Sequence, residues 1–211
     1  ASEFVEVTEG EAPAPAAPQA TPAGRSSPSS PQAPAASPVA PLVQPKDDSK
    51  AGIYAMSYGL FVISSKDGGK FNAQTANTVF QVTSEPVRVA VGINKANLTH
   101  EFIEKSGVLA ITVLGKGNLG HVRHFGFKSG RNVDKLAAVK YELSPKIGCP
   151  ILPDGVAYLE CEVKRYLSSD VGTHILYVAD VVGGGALRKS APITYAYYRA
   201  NKDKPDDYEG E

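Results

Sequence analysis

The chain has 211 residues, and its 22 lysines and arginines balance 22 aspartates and glutamates. The basic residues are scattered rather than gathered into a stripe, which leaves a nucleic acid or an anionic membrane surface little to hold. No stretch approaches the roughly 20 apolar residues of a membrane helix, and Cys149 and Cys161, the only cysteines, lack a second pair at zinc spacing, so two reduced thiols in a cytoplasmic chain are a plainer reading than a disulfide or a cysteine-held metal.

From Glu11 to Pro45 the composition is alanine, serine and closely spaced proline. Each proline removes a backbone donor and disfavours helix at the residue before it, so residues 11–50 read as a semi-extended, solvated linker. The opening residues, with Glu3, Glu6 and Glu9, lack the basic-then-apolar order of a signal peptide. Residues 51–203 have the length of one folded domain, and 204–211 form an acidic tail.

Within the domain, Gly59–Ser65 is a strand closed by the turn Lys66-Asp67-Gly68-Gly69, with Phe71 resuming as its hairpin partner. Ala76–Thr83 is a second β-prone run, and Val87, Val89, Val91 and Ile93 alternate as a half-buried strand should. A helix follows from Leu98 to Ser106: Asn97 or Thr99 can cap it, Glu101 sits at its positive end, Leu98, Phe102 and Ile103 form its apolar stripe, and Gly107 stops it. Val108–Leu114 is a strand. Leu119–Phe127 is helical for only a turn or two, because Gly120 and Gly126 interrupt it. Tyr158–Leu167 and His174–Val182 complete the strands, the last apolar on both faces like the wall of a closed barrel. The fold class is mainly β, an antiparallel Greek-key barrel with a few short helices.

Three places carry chemistry. The run Ala76–Thr83 sets neutral hydrogen-bonding side chains beside apolar ones, which suits the edge of a flat heterocycle and equally suits a strand with its polar side in water. Asn94-Lys95-Ala96-Asn97-Leu98-Thr99-His100 enters a helix with free amides, a hydroxyl and cations, a pattern that fits a phosphate cradle or ordinary helix capping. His174 stands at the mouth of an apolar strand, as a donor-site group or a satisfied strand end. His121 and His124 sit three apart without a third ligand, so no metal is assigned.

Four ordered blocks, YGLFVISSKDG, AQTANTVFQVTSEP, NKANLTHEFIEKS and GTHILYVADVV, resemble the flavin reductase-like family of FMN-binding split barrels, in the branch of flavoredoxins and high-molecular-weight rubredoxin reductases. The resemblance implies an FMN-binding split β-barrel. In it, Asn77, Thr78, Val79 and Gln81 would lie along the polar edge of the flavin, with Phe80 beneath. Asn94, Lys95, Asn97, Thr99 and His100 would hold the phosphate, His174 would lie near the nicotinamide of NADH or NADPH, and Tyr195 or Tyr197 would cover the ring. It further implies a homodimer, and an enzyme that moves hydride from NAD(P)H to FMN and single electrons on to a rubredoxin or flavodiiron partner; the alternative is a non-enzymatic FMN electron carrier. The first residues, Ser2 to Val7, resemble the end of a rubredoxin domain, so that 1–10 is a tail from such a domain in a modular fusion, or a remnant of cloning.

Overall fold

The computed structural model describes residues 49–208; the expected rubredoxin tail, nearly all of the linker and the last three residues lie outside them. After a short exposed helix α1 (Ser49–Ala55), strands β1 (Phe61–Asp67) and β2 (Lys70–Ala76) form the expected hairpin, with Asp67 opposite Lys70 and Gly68 at φ 59° in the turn. Then come β3 (Val79–Ser84), β4 (Val87–Asn94), helix α2 (Leu98–Ser106) and β5 (Val108–Val113). Helix α3 (Leu119–Phe127), β6 (Glu142–Leu143), β7 (Pro150–Ile151), β8 (Ala157–Val163), β9 (Ser169–Asp170), β10 (His174–Ala186) and α4 (Tyr195–Asn201) follow.

All pairings are antiparallel, and the main sheet has the order β2-β1-β5-β8-β10-β4-β3, with β9 beside β10. Its two terminal strands, β2 and β3, are consecutive in sequence and joined only by Asn77 and Thr78. A sheet whose ends are tethered so closely must curl, yet β2 and β3 do not pair, so the barrel is split along that seam. Strand β10 spans the curl, pairing with β4 through 174–180 and with β8 through 179–186 across a bulge at Val181/Gly183.

Side-chain alternation on β1 and β2 divides the core in two. Ile63 and Ala76 face a cluster inside the barrel with Val91, Ile93, Ile111 and Tyr177, whereas Val62 and Ala73 face a second cluster with Leu119, Val122, Phe125 and Tyr198. Helix α2 sends Ile103 into the first cluster and packs on β1, β2 and β4; α3 packs on the other face of β1 and β2. The seam edge of β2 is therefore flanked by a helix on each side.

One local expectation is corrected. Helix α3 runs its full nine residues despite Gly120 and Gly126, because Gly120 lets Asp206 press against the helix, where a Cβ would meet the Asp206 side chain at 2.8 Å. Asp206 also pairs with Arg123, so this part of the acidic tail packs on the domain. Both cysteines are free and buried, as the composition suggested. Among the described residues no helix is long and apolar enough to cross a membrane.

Candidate functional site

The edge of β2, the start of α2 and the end of α3 enclose a groove with two lobes of about 250 and about 880 Å³, which share Asn72, Leu98, Gly130 and Lys135 as lining. An edge strand leaves alternate backbone N–H and C=O groups without a strand partner, so the groove runs along ready hydrogen-bonding groups. Asn72 donates to Thr99 Oγ1 at 2.7 Å and fixes β2 to the first turn of α2. Thr75, on the opposite face, donates to the Val122 carbonyl at 3.1 Å and fixes β2 to α3. Beyond α3 the chain turns at Ser129, whose carbonyl accepts from the amides of Asn132 and Val133. Gly130 lies so close to β2 that a Cβ there would stand 2.0 Å from Asn72 Oδ1, so a larger residue would force the groove wall apart.

Two buried side chains in this groove are incompletely served. Gln74 is 8% exposed and its Oε1 has no hydrogen-bond donor among the described residues; a buried acceptor left so costs about 1–3 kcal/mol. Lys135 is 4% exposed, and among the described residues its ammonium donates to the Phe125 carbonyl alone, at 3.3 Å. Burial alone pushes its pKa down to about 8. At the head of the groove, Asn97 is the N-cap of α2; its carbonyl accepts from the His100 amide at 3.1 Å, but its side chain makes no cap bond, so the amides of Leu98 and Thr99 receive no acceptor from that side chain.

The profile of the flavin reductase like domain matches residues 53–204. The chain belongs to that family. This flavin reductase-like domain is 45% identical over 157 residues to a high molecular weight rubredoxin of Moorella thermoacetica, covering 74% of the chain and 67% of that protein. It is 37% identical over 151 residues to a ferric-chelate reductase (NAD(P)H) of Archaeoglobus fulgidus, covering 71% and 88%. Its fold matches the NADH:FAD oxidoreductase of Streptomyces globisporus with a TM-score of 0.64 at 24% identity, over 74% of the chain and 93% of that structure. The split barrel expected from the sequence is thus the fold of the family.

Of the residues singled out in the sequence, the flavin reductase-like domain brings Asn97 and Thr99 to the groove. Asn77 and Thr78 form the bend between β2 and β3 just past Thr75, and Thr78 packs against Gly92, where a Cβ would meet its Cγ2 at 2.9 Å. Asn94 lies opposite His174 in the β4–β10 register and holds the loop by accepting from the Ala96 amide at 2.9 Å. His174 is half-buried, with Nδ1 2.8 Å from Thr173 Oγ1.

The other candidates are placed elsewhere. Lys95 reaches across to Asp170, 2.9 Å from Oδ2, and that contact is the main reason the Asp170 carboxyl is held below its usual range. His100, the next residue round α2 from Thr99, does not line the groove: its Nδ1 is 2.6 Å from Tyr177 Oη, which in turn donates to Glu104 at 2.6 Å. Val79 packs on the barrel cluster, while Phe80 is 53% exposed and Gln81 donates to the nearby Thr83 carbonyl at 3.2 Å. Tyr195 and Tyr197 belong to α4 and pack on the outer cluster, with the Lys116 ammonium 5.1 Å from the centre of the Tyr197 ring. The sequence reading missed Asn72, Gln74, Thr75 and the 128–135 turn. The signal was present in Asn72 and Gln74, polar residues alternating with Phe71 and Ala73.

Proposed function

We propose that the groove holds FMN and that the domain is an NAD(P)H-dependent flavin reductase feeding single electrons to a rubredoxin or diiron partner. The observation that carries this reading is the buried, unserved acceptor of Gln74 beside the free edge of β2. A flavin offers what that wall needs: ring N–H and ribityl O–H donors for Gln74, ring carbonyls for edge amides, and an apolar ring for Leu98 and Phe125. When bound, FMN accepts a hydride from the nicotinamide and releases electrons one at a time.

The chain's own residues supply position. Thr75 and Asn72 fix the β2 edge between the two helices, the amides at the start of α2 present a positive pole to the phosphate, and Asn77 and Thr78 mark the rim where the ring edge would lie. His174, at the start of β10, can hydrogen-bond the carboxamide or diphosphate of the donor from either ring nitrogen. Phe80, Val82 and Val87 are exposed on the hairpin of β3 and β4 at the seam, an apolar face that a second copy would cover to give the homodimer. The rubredoxin-type partner is supported by the name of the Moorella relative.

The test is an absorption spectrum of the chain reconstituted with FMN, followed by anaerobic addition of NADH or NADPH. Flavin bands that bleach with a stoichiometric nucleotide support the enzyme. Flavin that binds but stays oxidised points to a carrier, and failure to bind any flavin refutes the assignment of the groove.

A further inference from the structure

The groove is larger than a flavin needs. Its large lobe alone, about 880 Å³, lies near the upper end of the roughly 300–1,000 Å³ that a single organic ligand fills, and the small lobe adds about 250 Å³ beside β2 and the start of α2. The lobes differ in chemistry as well as in size. In the small lobe a buried acceptor, Gln74 Oε1, lacks a donor among the described residues. In the large lobe the charges are matched within the wall: Glu101 pairs with Arg131, Asp67 pairs with Lys105, and Asp134 Oδ1 accepts from the amides of Leu136 and Ala137. Lys70 stands exposed at the rim, and Lys135 is shared with the small lobe.

Beyond these pairs the large lobe offers aromatic and apolar surface. Tyr141 and Phe71 meet there edge to face, their ring centres 6.2 Å apart and their planes at 60°, and Leu98 and Phe102 of α2 line the same space. Tyr141 is 36% exposed and Val133 44% exposed, so the third wall leaves ring and methyl surface for an occupant to cover. Such a lobe suits a flat heteroaromatic ring without charge, which gains from stacking on an aromatic side chain and asks nothing of ion pairs already made. On the flavin reading above, on which this step rests, the isoalloxazine lies along β2. The hydride donor then brings a neutral heteroaromatic ring of its own, the adenine at the end of the dinucleotide remote from the reacting carbon.

We propose that the large lobe is the adenine subsite of the pyridine-nucleotide donor and that Tyr141 is its stacking platform. Binding energy drawn from this remote ring holds the nicotinamide end at the flavin without taking part in the transfer of hydride. Tyr141 is thus a positioning residue, and its removal is felt by donors that carry adenine and not by donors that lack it.

The experiment uses the full chain loaded with oxidised FMN. Titration calorimetry with ADP-ribose, the adenine half of the donor without its nicotinamide, measures the subsite directly. Stopped-flow absorbance compares flavin reduction by NAD(P)H with reduction by reduced nicotinamide mononucleotide, which lacks the adenine half. Loss of one base–aromatic stack in Tyr141→Ala should weaken ADP-ribose binding and lower the second-order rate constant with NAD(P)H about five- to fiftyfold, while the rate with the mononucleotide and the affinity for FMN stay within about twofold. Tyr141→Phe keeps the ring and should behave as wild type. If the alanine variant fails to fold, Tyr141→Leu, which fills the space against Phe71, takes its place. Unchanged ADP-ribose binding in the folded variant, or an equal loss of rate with NAD(P)H and with the mononucleotide, would overturn the assignment. So would a variant that loses affinity for FAD relative to FMN while ADP-ribose binds as before, because the adenine accepted there would be the flavin's own. A wild type that both donors reduce equally and that does not bind ADP-ribose leaves the flavin groove standing and removes the subsite; one that binds no FMN removes the reading beneath it.

Discussion

Replacing Gln74 by leucine should move stability and ligand affinity in opposite directions. In the free protein the Gln74 Oε1 is buried without a donor on the groove side of β2. Leucine has a similar volume and no acceptor to desolvate, so the substitution relieves a penalty of about 1–3 kcal/mol. For a domain of this size that corresponds to an apoprotein melting about 2–10 °C higher. The same change removes a hydrogen bond made only when the groove is filled, worth about 0.5–1.5 kcal/mol, so FMN should bind about two- to tenfold more weakly. Urea unfolding of the flavin-free chain, with the slope checked for constancy, gives the first quantity, and calorimetric titration with FMN gives the second. An apoprotein that is destabilised while flavin affinity holds would show that Gln74 serves the fold, and the reasoning from its unserved acceptor would fail.

His174→Ala should slow anaerobic flavin reduction by NAD(P)H about five- to thirtyfold, as expected for a lost positioning hydrogen bond of about 1–2 kcal/mol, and leave dithionite reduction unchanged; an unaltered rate in stopped-flow absorbance would return His174 to the role of a strand end. Tyr177→Phe deprives Glu104 and His100 of a shared hydroxyl and should cost about 1–2 kcal/mol of stability, with FMN affinity intact because this cluster faces away from the groove; weakened FMN binding in the folded variant would contradict that placement. Cys149 and Cys161 are buried, and burial pushes both thiols up to about 12. A thiol-specific disulfide reagent at neutral pH should therefore label neither in the native protein and both after unfolding; rapid labelling of the folded chain would show the core to be open there.

The barrel was legible where local chemistry is unambiguous. The turn was legible in Gly68-Gly69, although Lys66 and Asp67, read as part of it, extend β1 opposite Phe71 and Lys70, and Asn97 and Gly107 bracket α2 at its observed ends. Helix α4 was not legible, because three tyrosines in Tyr195–Asn201 are indifferent helix formers. It is held by the Thr194 hydroxyl, which accepts from the Tyr197 amide at 3.1 Å, and by burial of Tyr198. The sequence reading centred on Ala76–Thr83 for its neutral polar side chains, although β2 carries as many polar ones, at Lys70, Asn72, Gln74 and Thr75. What makes β2 the wall is its place at the edge of the sheet, a property of pairing that no local pattern encodes. Lys135 escaped notice for a related reason: only the fold shows that this lysine is buried while the other charged residues of the stretch, Arg131 and Asp134, are exposed.

The three walls of the groove are built to different standards of permanence. Strand β2 is laddered to β1, and α2 is rooted in the barrel through Ile103, so neither can change without remaking the core. The third wall, residues 128–141, has no regular structure and contributes only Lys135 and Leu136 to the interior. Irregular stretches of this length in compact domains commonly carry function. Outside Gly130, Lys135 and Leu136 such a segment can change length at little thermodynamic expense, so the width of the groove can be altered by its third wall while the barrel stays as it is.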